Sequence, residues 1–120
     1  MEAELTRSYR FEAAHRLPNV AKGHKCGRMH GHGFRVDIVV RGTVGKRTGW
    51  VLDFADLDRA AGPLVAALDH RTLNEVEGLE NPTSEHLARW IWDRLAPGLP
   101  GLAEVAVCES ESSRCAYRGG

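Results

Sequence analysis

Three histidines, His15, His30 and His32, fall within an 18-residue stretch of this chain. Residues i and i+2 of an extended segment point the same way, so His30 and His32 can direct both rings to one point. Gly31 leaves the space between them open. If the strand that carries His15 pairs with the strand that begins near His32, the third ring joins them. Three neutral imidazoles suit zinc and leave a fourth position for water or substrate, as in catalytic zinc sites.

Cys26 precedes His30 by three intervening residues and adds a thiol to this cluster. It could be the fourth ligand of a closed structural zinc site, or a proton-transferring group beside an open one. In a third interpretation the segment is a polar loop whose histidines only form hydrogen bonds. The spacing alone leaves these alternatives open.

Two further candidates lie in the second half of the chain. Asp69 and His70 are adjacent, and a carboxylate that orients an imidazole is a common acid–base pair. They could equally be an ordinary helix end, with a histidine near the negative pole of the helix dipole. Glu109 follows an alternating apolar segment, and taken alone it is an exposed acid at the end of a strand.

Composition limits the kind of partner. The 120 residues suit a single domain, residues 1–120, and the 16 basic and 16 acidic side chains cancel. No global field therefore favours nucleic acid or an anionic membrane, and small molecules or copies of the chain are the expected partners. Residues 1–7 lack the apolar run of a signal peptide, and three cysteines indicate reduced thiols, so a soluble cytoplasmic protein is expected.

Hydrophobic periodicity predicts the elements that position these residues. Alternation indicates strands at residues 5–14, 34–44 and 105–109, and residues 50–52 and 115–117 are candidates for shorter strands. A turn before residues 50–52 predicts a hairpin over residues 34–52. One helix should begin after Asp53, with a kink or break at Gly62-Pro63, and a second after Thr83 or Ser84.

This order predicts an α+β domain, with an antiparallel sheet of about four strands and two helices on one face. Four or five strands cannot close a barrel alone, and long edge strands favour pairing with another copy.

Several spaced motifs, taken in order, resemble the 6-pyruvoyl-tetrahydropterin synthase family over nearly the whole chain. They are Phe11-x-Ala-Ala-His15, Cys26-x-x-x-His30-Gly-His32, Asp69-His70-x-x-Leu73-Asn74, Asn81-Pro82-Thr83-x-Glu85 and the late Glu109. The three residues between the cysteine and His-Gly-His resemble the bacterial carboxy branch of the family. The pyruvoyl branch typically has a longer insert there, and a folate-related branch has glutamate in place of the cysteine.

The resemblance implies a tunnelling fold (T-fold), assembled as a homohexamer of two stacked trimers whose strands complete a barrel. It implies a zinc-dependent 6-carboxy-5,6,7,8-tetrahydropterin synthase activity, in queuosine and 7-deazapurine biosynthesis. The substrate would be 7,8-dihydroneopterin triphosphate, and acetaldehyde and triphosphate would be lost. The alternatives are 6-pyruvoyl-tetrahydropterin synthase activity, or a non-catalytic pterin- or zinc-binding module on the same fold.

The resemblance also assigns roles to individual residues. Zinc would bind His15, His30 and His32, and Cys26 would be the proton-transferring base. Asp69 and His70 would form a second proton relay. Glu109 would anchor the pterin ring, because its two oxygens match the paired N–H donors of a 2-amino-4-oxo ring. The triphosphate would meet basic side chains of the glycine-containing loop, namely Arg16, Lys25 and Arg28.

Overall fold

A computed structural model describes all residues, 1–120, as one sheet with two helices. The strands are β1 (Glu2–His15), β2 (His30–Thr43), β3 (Arg71–Thr72), β4 (Leu102–Ser110) and β5 (Ser113–Tyr117). The helices are α1 (Phe54–Leu68) and α2 (Ser84–Leu95). The α+β class predicted from the sequence is confirmed. Neither helix is long and apolar enough to cross a membrane.

The sheet has five strands in the order β3-β1-β2-β4-β5. Neighbouring strands are antiparallel except β1 and β3, which pair in parallel at Ala13 and Ala14. The prediction of about four antiparallel strands therefore missed β3, because two residues are too short to show an alternating pattern. β1 and β2 pair along their whole length, from Glu2 opposite Thr43 to His15 opposite His30.

The core lies between the two helices and one face of the sheet. Phe11 and Phe34 stack on that face with ring centroids 5.0 Å apart, and both are buried. Leu57 of α1 and Leu87 of α2 are fully buried in the same cluster. This apolar layer continues to the end of β1, where the ring of His15 packs edge-on against Phe34.

Residues 50–52 do not form the predicted strand, so the hairpin over residues 34–52 is wrong. β2 is already flanked by β1 and β4, so this segment cannot become its hairpin partner. The chain turns instead, with the N–H of Gly45 donating to the carbonyl of Trp50. The adjacent apolar residues Val51 and Leu52 pack on the core without a strand partner.

Both predicted helix starts are confirmed by side-chain caps. Asp53 accepts from the N–H of Ala55 at 2.9 Å, and Thr83 accepts from the N–H of His86 at 3.1 Å. α1 continues without interruption through Pro63, where the sequence predicts a kink or break. Its buried residues lie on both sides of the proline, so packing offsets the lost hydrogen bond.

Candidate active site

The pairing of β1 with β2 brings the three histidines together. His15 ends β1 directly opposite His30 at the start of β2, and His32 follows two residues later. Their ligand atoms all lie within 4.8 Å of one another. The prediction that strand pairing delivers the third ring is therefore confirmed.

Backbone carbonyls fix the tautomer of all three rings. Because a carbonyl oxygen only accepts, each Nδ1 must carry the hydrogen and donate it, which leaves each Nε2 with a free lone pair. Metal-bound histidines are held by outer hydrogen bonds of this kind. The contacts are His15 to Pro82 at 2.9 Å, His30 to Arg28 at 2.8 Å and His32 to Gly33 at 3.0 Å.

The spacing of two of the free nitrogens is compatible with a tetrahedral metal ion. The Nε2 atoms of His15 and His32 are 3.2 Å apart. Tetrahedral zinc with Zn–N bonds of about 2.0–2.1 Å places two nitrogens about 3.3 Å apart. Burial lowers the pKa of the His15 imidazole and favours the neutral form that binds a metal. Facing lone pairs repel unless a cation lies between them, so this donor set suits a metal ion.

Glu109, near the end of β4, reaches the same point. Its Oε1 lies 3.1 Å from Nε2 of His32 and 3.4 Å from Nε2 of His15, and its Oε2 accepts from the hydroxyl of Ser84. Glu109 also borders a cavity lined by Arg10 and other residues, so it lies between the histidine cluster and open space.

Ser84 is a residue whose part in the site the sequence analysis missed. Thr83 and Ser84 are both candidate caps of α2, but only one hydroxyl can occupy the cap position. Thr83 does so, which leaves the hydroxyl of Ser84 free to donate to Glu109. Two adjacent hydroxyl residues at a helix start, one of them in excess, are the signal that could have identified it.

Cys26 lies in a short 3-10 turn, Lys25–Gly27, within the loop that joins β1 to β2. It is a free, half-buried thiol that borders a cavity with Lys25 and His30. The compact cluster of metal-binding atoms comprises the three histidines and does not include Cys26. This favours a thiol that acts beside the metal over a fourth ligand.

Asp69 and His70 form a side-chain pair at the end of α1. Asp69 caps the helix and its Oδ1 lies 3.0 Å from Nδ1 of His70. The backbone of Glu12 holds both residues: its N–H donates to Asp69 at 3.0 Å, and its carbonyl accepts from the N–H of His70 at 2.6 Å. The hydrogen bond from the N–H of Glu12, followed by the one from the His70 side chain, lowers the pKa of the Asp69 carboxyl.

The backbone of His70 adopts a conformation that is unusual for a residue other than glycine. His70 adopts a φ of 57°, the left-handed region, which costs a non-glycine residue about 1–3 kcal/mol and is concentrated at functional sites. Its ring borders a cavity together with Gly31 and His32. The pair therefore faces the space beside the histidine cluster.

The basic side chains predicted to meet a phosphate are all exposed, and they lie at different places along the loop. Lys25 borders the cavity of Cys26. Arg28 contributes its carbonyl to His30, and the backbone of Arg16 pairs with Asn74. Of the three, Lys25 is the one that shares a cavity with a candidate catalytic group.

Comparison with known proteins agrees with this geometry. The chain is 44% identical over 119 residues to a 6-carboxy-5,6,7,8-tetrahydropterin synthase of Synechocystis, covering 94% of this chain and 91% of the relative. It is 37% identical to the 6-pyruvoyl tetrahydrobiopterin synthase of Drosophila melanogaster, covering 98% and 80% of the two chains.

A solved structure, the 6-pyruvoyl tetrahydropterin synthase of Caenorhabditis elegans, superposes with a TM-score of 0.92 at 26% identity, covering 100% of this chain and 97% of that one. The chain therefore has the T-fold that the resemblance implies. The model of one family, described as 6-pyruvoyl tetrahydropterin synthase, matches residues 4–120. The chain belongs to the 6-pyruvoyl tetrahydropterin synthase family.

Proposed function

We propose that this protein is a zinc-dependent 6-carboxy-5,6,7,8-tetrahydropterin synthase. It converts 7,8-dihydroneopterin triphosphate to 6-carboxytetrahydropterin, acetaldehyde and triphosphate. The observation that carries this proposal is the cluster of three Nδ1-anchored histidines with a free thiol, Cys26, beside one of them. The Synechocystis relative bears the name of the same activity.

Each of the candidate site residues has a separate role in this reaction. Zinc held by His15, His30 and His32 would supply a Lewis acid that acidifies C–H and O–H protons of the substrate side chain. Cys26 removes a proton from that side chain, in a cavity that it shares with Lys25 and His30. His70, oriented by Asp69, moves a second proton. Glu109 accepts hydrogen bonds from the pterin ring and fixes its position relative to both proton-transferring groups.

The pyruvoyl reaction is the second candidate, and one observation favours it: the relatives include the pyruvoyl enzyme of Drosophila at 37% identity. Both reactions use the same substrate and the same kinds of side chain. The spacing of Cys26 from His30 supports the carboxy branch. The queuosine pathway and the cytoplasmic location remain predictions.

We also propose that the active protein is a homohexamer built as a dimer of trimers. Cys26, His70 and Glu109 border three different cavities of the single chain. Strands β1 and β5 each form an outer edge of the sheet, apart from the two residues of β1 that pair with β3. An unpaired strand edge favours pairing with another chain, so neighbouring copies are expected at these edges.

The proposal is tested by incubating the zinc-loaded protein with 7,8-dihydroneopterin triphosphate and identifying the pterin product by mass. The carboxy product is expected, and its formation should stop when zinc is removed and resume when zinc is restored. A pyruvoyl product would move the chain to the second candidate. No turnover in any metal-loaded form would contradict both.

Replacing Asp69 with asparagine should lower turnover by about 10²-fold, since the amide cannot stabilise a charged His70. The folded state should persist, because the carboxylate is 42% exposed. The lowered pKa of Asp69 stabilises the folded protein at pH values above about 3.9, the ordinary pKa of an aspartate. This stabilisation is lost as the pH falls through the pKa of Asp69 in the folded protein. Steady-state kinetics and acid unfolding of both forms measure the two effects.

Asp53→Asn is the matched control for this substitution. Asp53 begins the same helix, and asparagine caps a helix about as well as aspartate, so turnover should be unchanged. Equal losses in the two variants would show that Asp69 acts only on the helix.

Ser84→Ala should raise the KM for the pterin about tenfold and leave stability nearly unchanged. The hydroxyl orients Glu109 for the pterin, and a tenfold change corresponds to about 1.4 kcal/mol, the size of one hydrogen bond. Glu109 is 35% exposed, so water can replace the hydroxyl in the folded protein and limit the loss of stability. Thr83→Ala should do the reverse, lowering stability by about 0.5–2 kcal/mol through loss of the helix cap without changing KM. Steady-state kinetics and urea unfolding distinguish the two variants. A wild-type KM in Ser84→Ala would show that the Ser84 hydroxyl does not orient Glu109.

A further inference from the structure

The side chain of Asn74 pairs with both polar backbone groups of Arg16. Its Oδ1 accepts from the Arg16 N–H at 2.9 Å, and its Nδ2 donates to the Arg16 carbonyl at 2.8 Å. Arg16 is the first residue beyond β1, where neither β2 nor β3 continues the ladder. Asn74 thus substitutes for a strand partner at the point where the chain leaves the metal-binding His15.

The hydrogen bonds continue from Arg16 to the candidate base. The next residue, Leu17, donates its N–H to the carbonyl of Cys26 at 2.8 Å, which joins the outgoing and returning limbs of the loop. The N–H of Cys26 donates to Nδ1 of His24 at 3.0 Å. The backbone of Cys26 is therefore held on both sides, and one of the two contacts depends on the path that Asn74 imposes on Arg16.

Asn74 is itself firmly placed. It lies in a 3-10 turn, Leu73–Glu75, whose first residue has no exposed surface. A few residues later the same segment supplies the Pro82 carbonyl that accepts from Nδ1 of His15. One short stretch of chain thus contacts a metal ligand directly and the thiol-bearing loop through Asn74.

We propose that Asn74 is a positioning residue that sets the location of Cys26 relative to the histidine cluster. This inference rests on the proposed function, in which Cys26 is the base. A carboxamide is suited to the task because it offers one acceptor and one donor, the pair that a single backbone residue requires. Asn74 acts through Arg16 and Leu17, not by contact with substrate.

Asn74→Asp is the sharpest test, since it keeps the shape and the acceptor and replaces only the donor. The new oxygen would face the Arg16 carbonyl and repel it, so the start of the loop should shift. We expect kcat to fall by about 10- to 100-fold, as for a reacting group displaced by about 1 Å. KM and zinc content should stay within about twofold of wild type, and Asn19→Asp, the same change elsewhere in the loop, should behave as wild type.

The thiol provides a readout that does not depend on turnover. Alkylation of Cys26 by iodoacetamide, resolved from that of the half-buried Cys115 by peptide mass analysis, should become several-fold faster in Asn74→Asp because the loop loosens. Unchanged Cys26 alkylation would overturn the proposal. So would a fall in kcat that merely parallels loss of zinc, since Asn74 would then act on His15. If the wild type proves inactive on pterins, the alkylation result still tests the role of Asn74.

Amide hydrogen exchange of the wild-type protein covers the case in which the variant does not fold. The amides of Arg16 and Leu17 should be protected, because both donate within this chain of contacts. In a folded Asn74→Ala variant both should exchange at least tenfold faster, while the amides of β4 stay unchanged. Wild-type amides that exchange as freely as those of an open loop would overturn the proposal.

Discussion

Cys26→Ala should lower turnover by about 10²–10⁴-fold, the contribution typical of a positioned proton-transferring group, while zinc remains bound at one ion per chain. The thiol borders the cavity beside His30 but is not part of the histidine cluster, so its removal takes away the base and leaves the metal ligands intact. Metal analysis and kcat measured on the same sample give the answer.

Cys115→Ala is the control, because it removes a half-buried thiol from β5 and should leave turnover within about twofold of wild type. Loss of zinc together with loss of turnover in Cys26→Ala would mean that Cys26 is a fourth ligand. The site would then be closed and structural.

His30→Ala should abolish both zinc binding and turnover. Two of the three imidazoles remain, but the open coordination of a catalytic site needs all three protein ligands. His30 is the best position for this test, because it is half-buried at the start of β2, whereas His15 is 2% exposed and its replacement would leave a cavity.

Thermal unfolding gives a second readout of the same substitution. Zinc at 100 times its dissociation constant should stabilise the wild-type protein by about 2.7 kcal/mol and should leave the melting temperature of His30→Ala unchanged. His86→Ala is the matched control: its Nδ1 also contacts a carbonyl, that of Asn81, but it lies outside the cluster. A fully active His30→Ala protein would exclude the three-histidine site.

The parts of the site that were predictable from the sequence depend on strict periodicity. His30 and His32 lie two residues apart on a strand, and pairing with the preceding strand was enough to place His15 beside them. Asp53 and Thr83 were recognisable as caps because their side chains act on the next few residues. Local rules of this kind need no knowledge of the tertiary fold.

The features that were not predictable depend on tertiary contacts with distant parts of the chain. Residues 50–52 are consecutive apolar residues that suit a short strand, but β2 already has β1 and β4 as its neighbours. In the sequence Glu109 is an ordinary acid at the end of a strand. Its contact with Ser84 depends on the packing of α2 against β4. The backbone N–H of Glu12 donates to Asp69, and a backbone contact does not depend on the residue type. The side chain of Asn74 pairs with the backbone of Arg16, which is distant in sequence. Neither contact produces a recognisable sequence pattern.

The ratio of acetaldehyde to triphosphate released from 7,8-dihydroneopterin triphosphate tests the central claim most directly. An open three-histidine zinc with Cys26 as base, in the carboxy branch, predicts one acetaldehyde for each triphosphate. Triphosphate release without acetaldehyde would contradict it and indicate the pyruvoyl reaction.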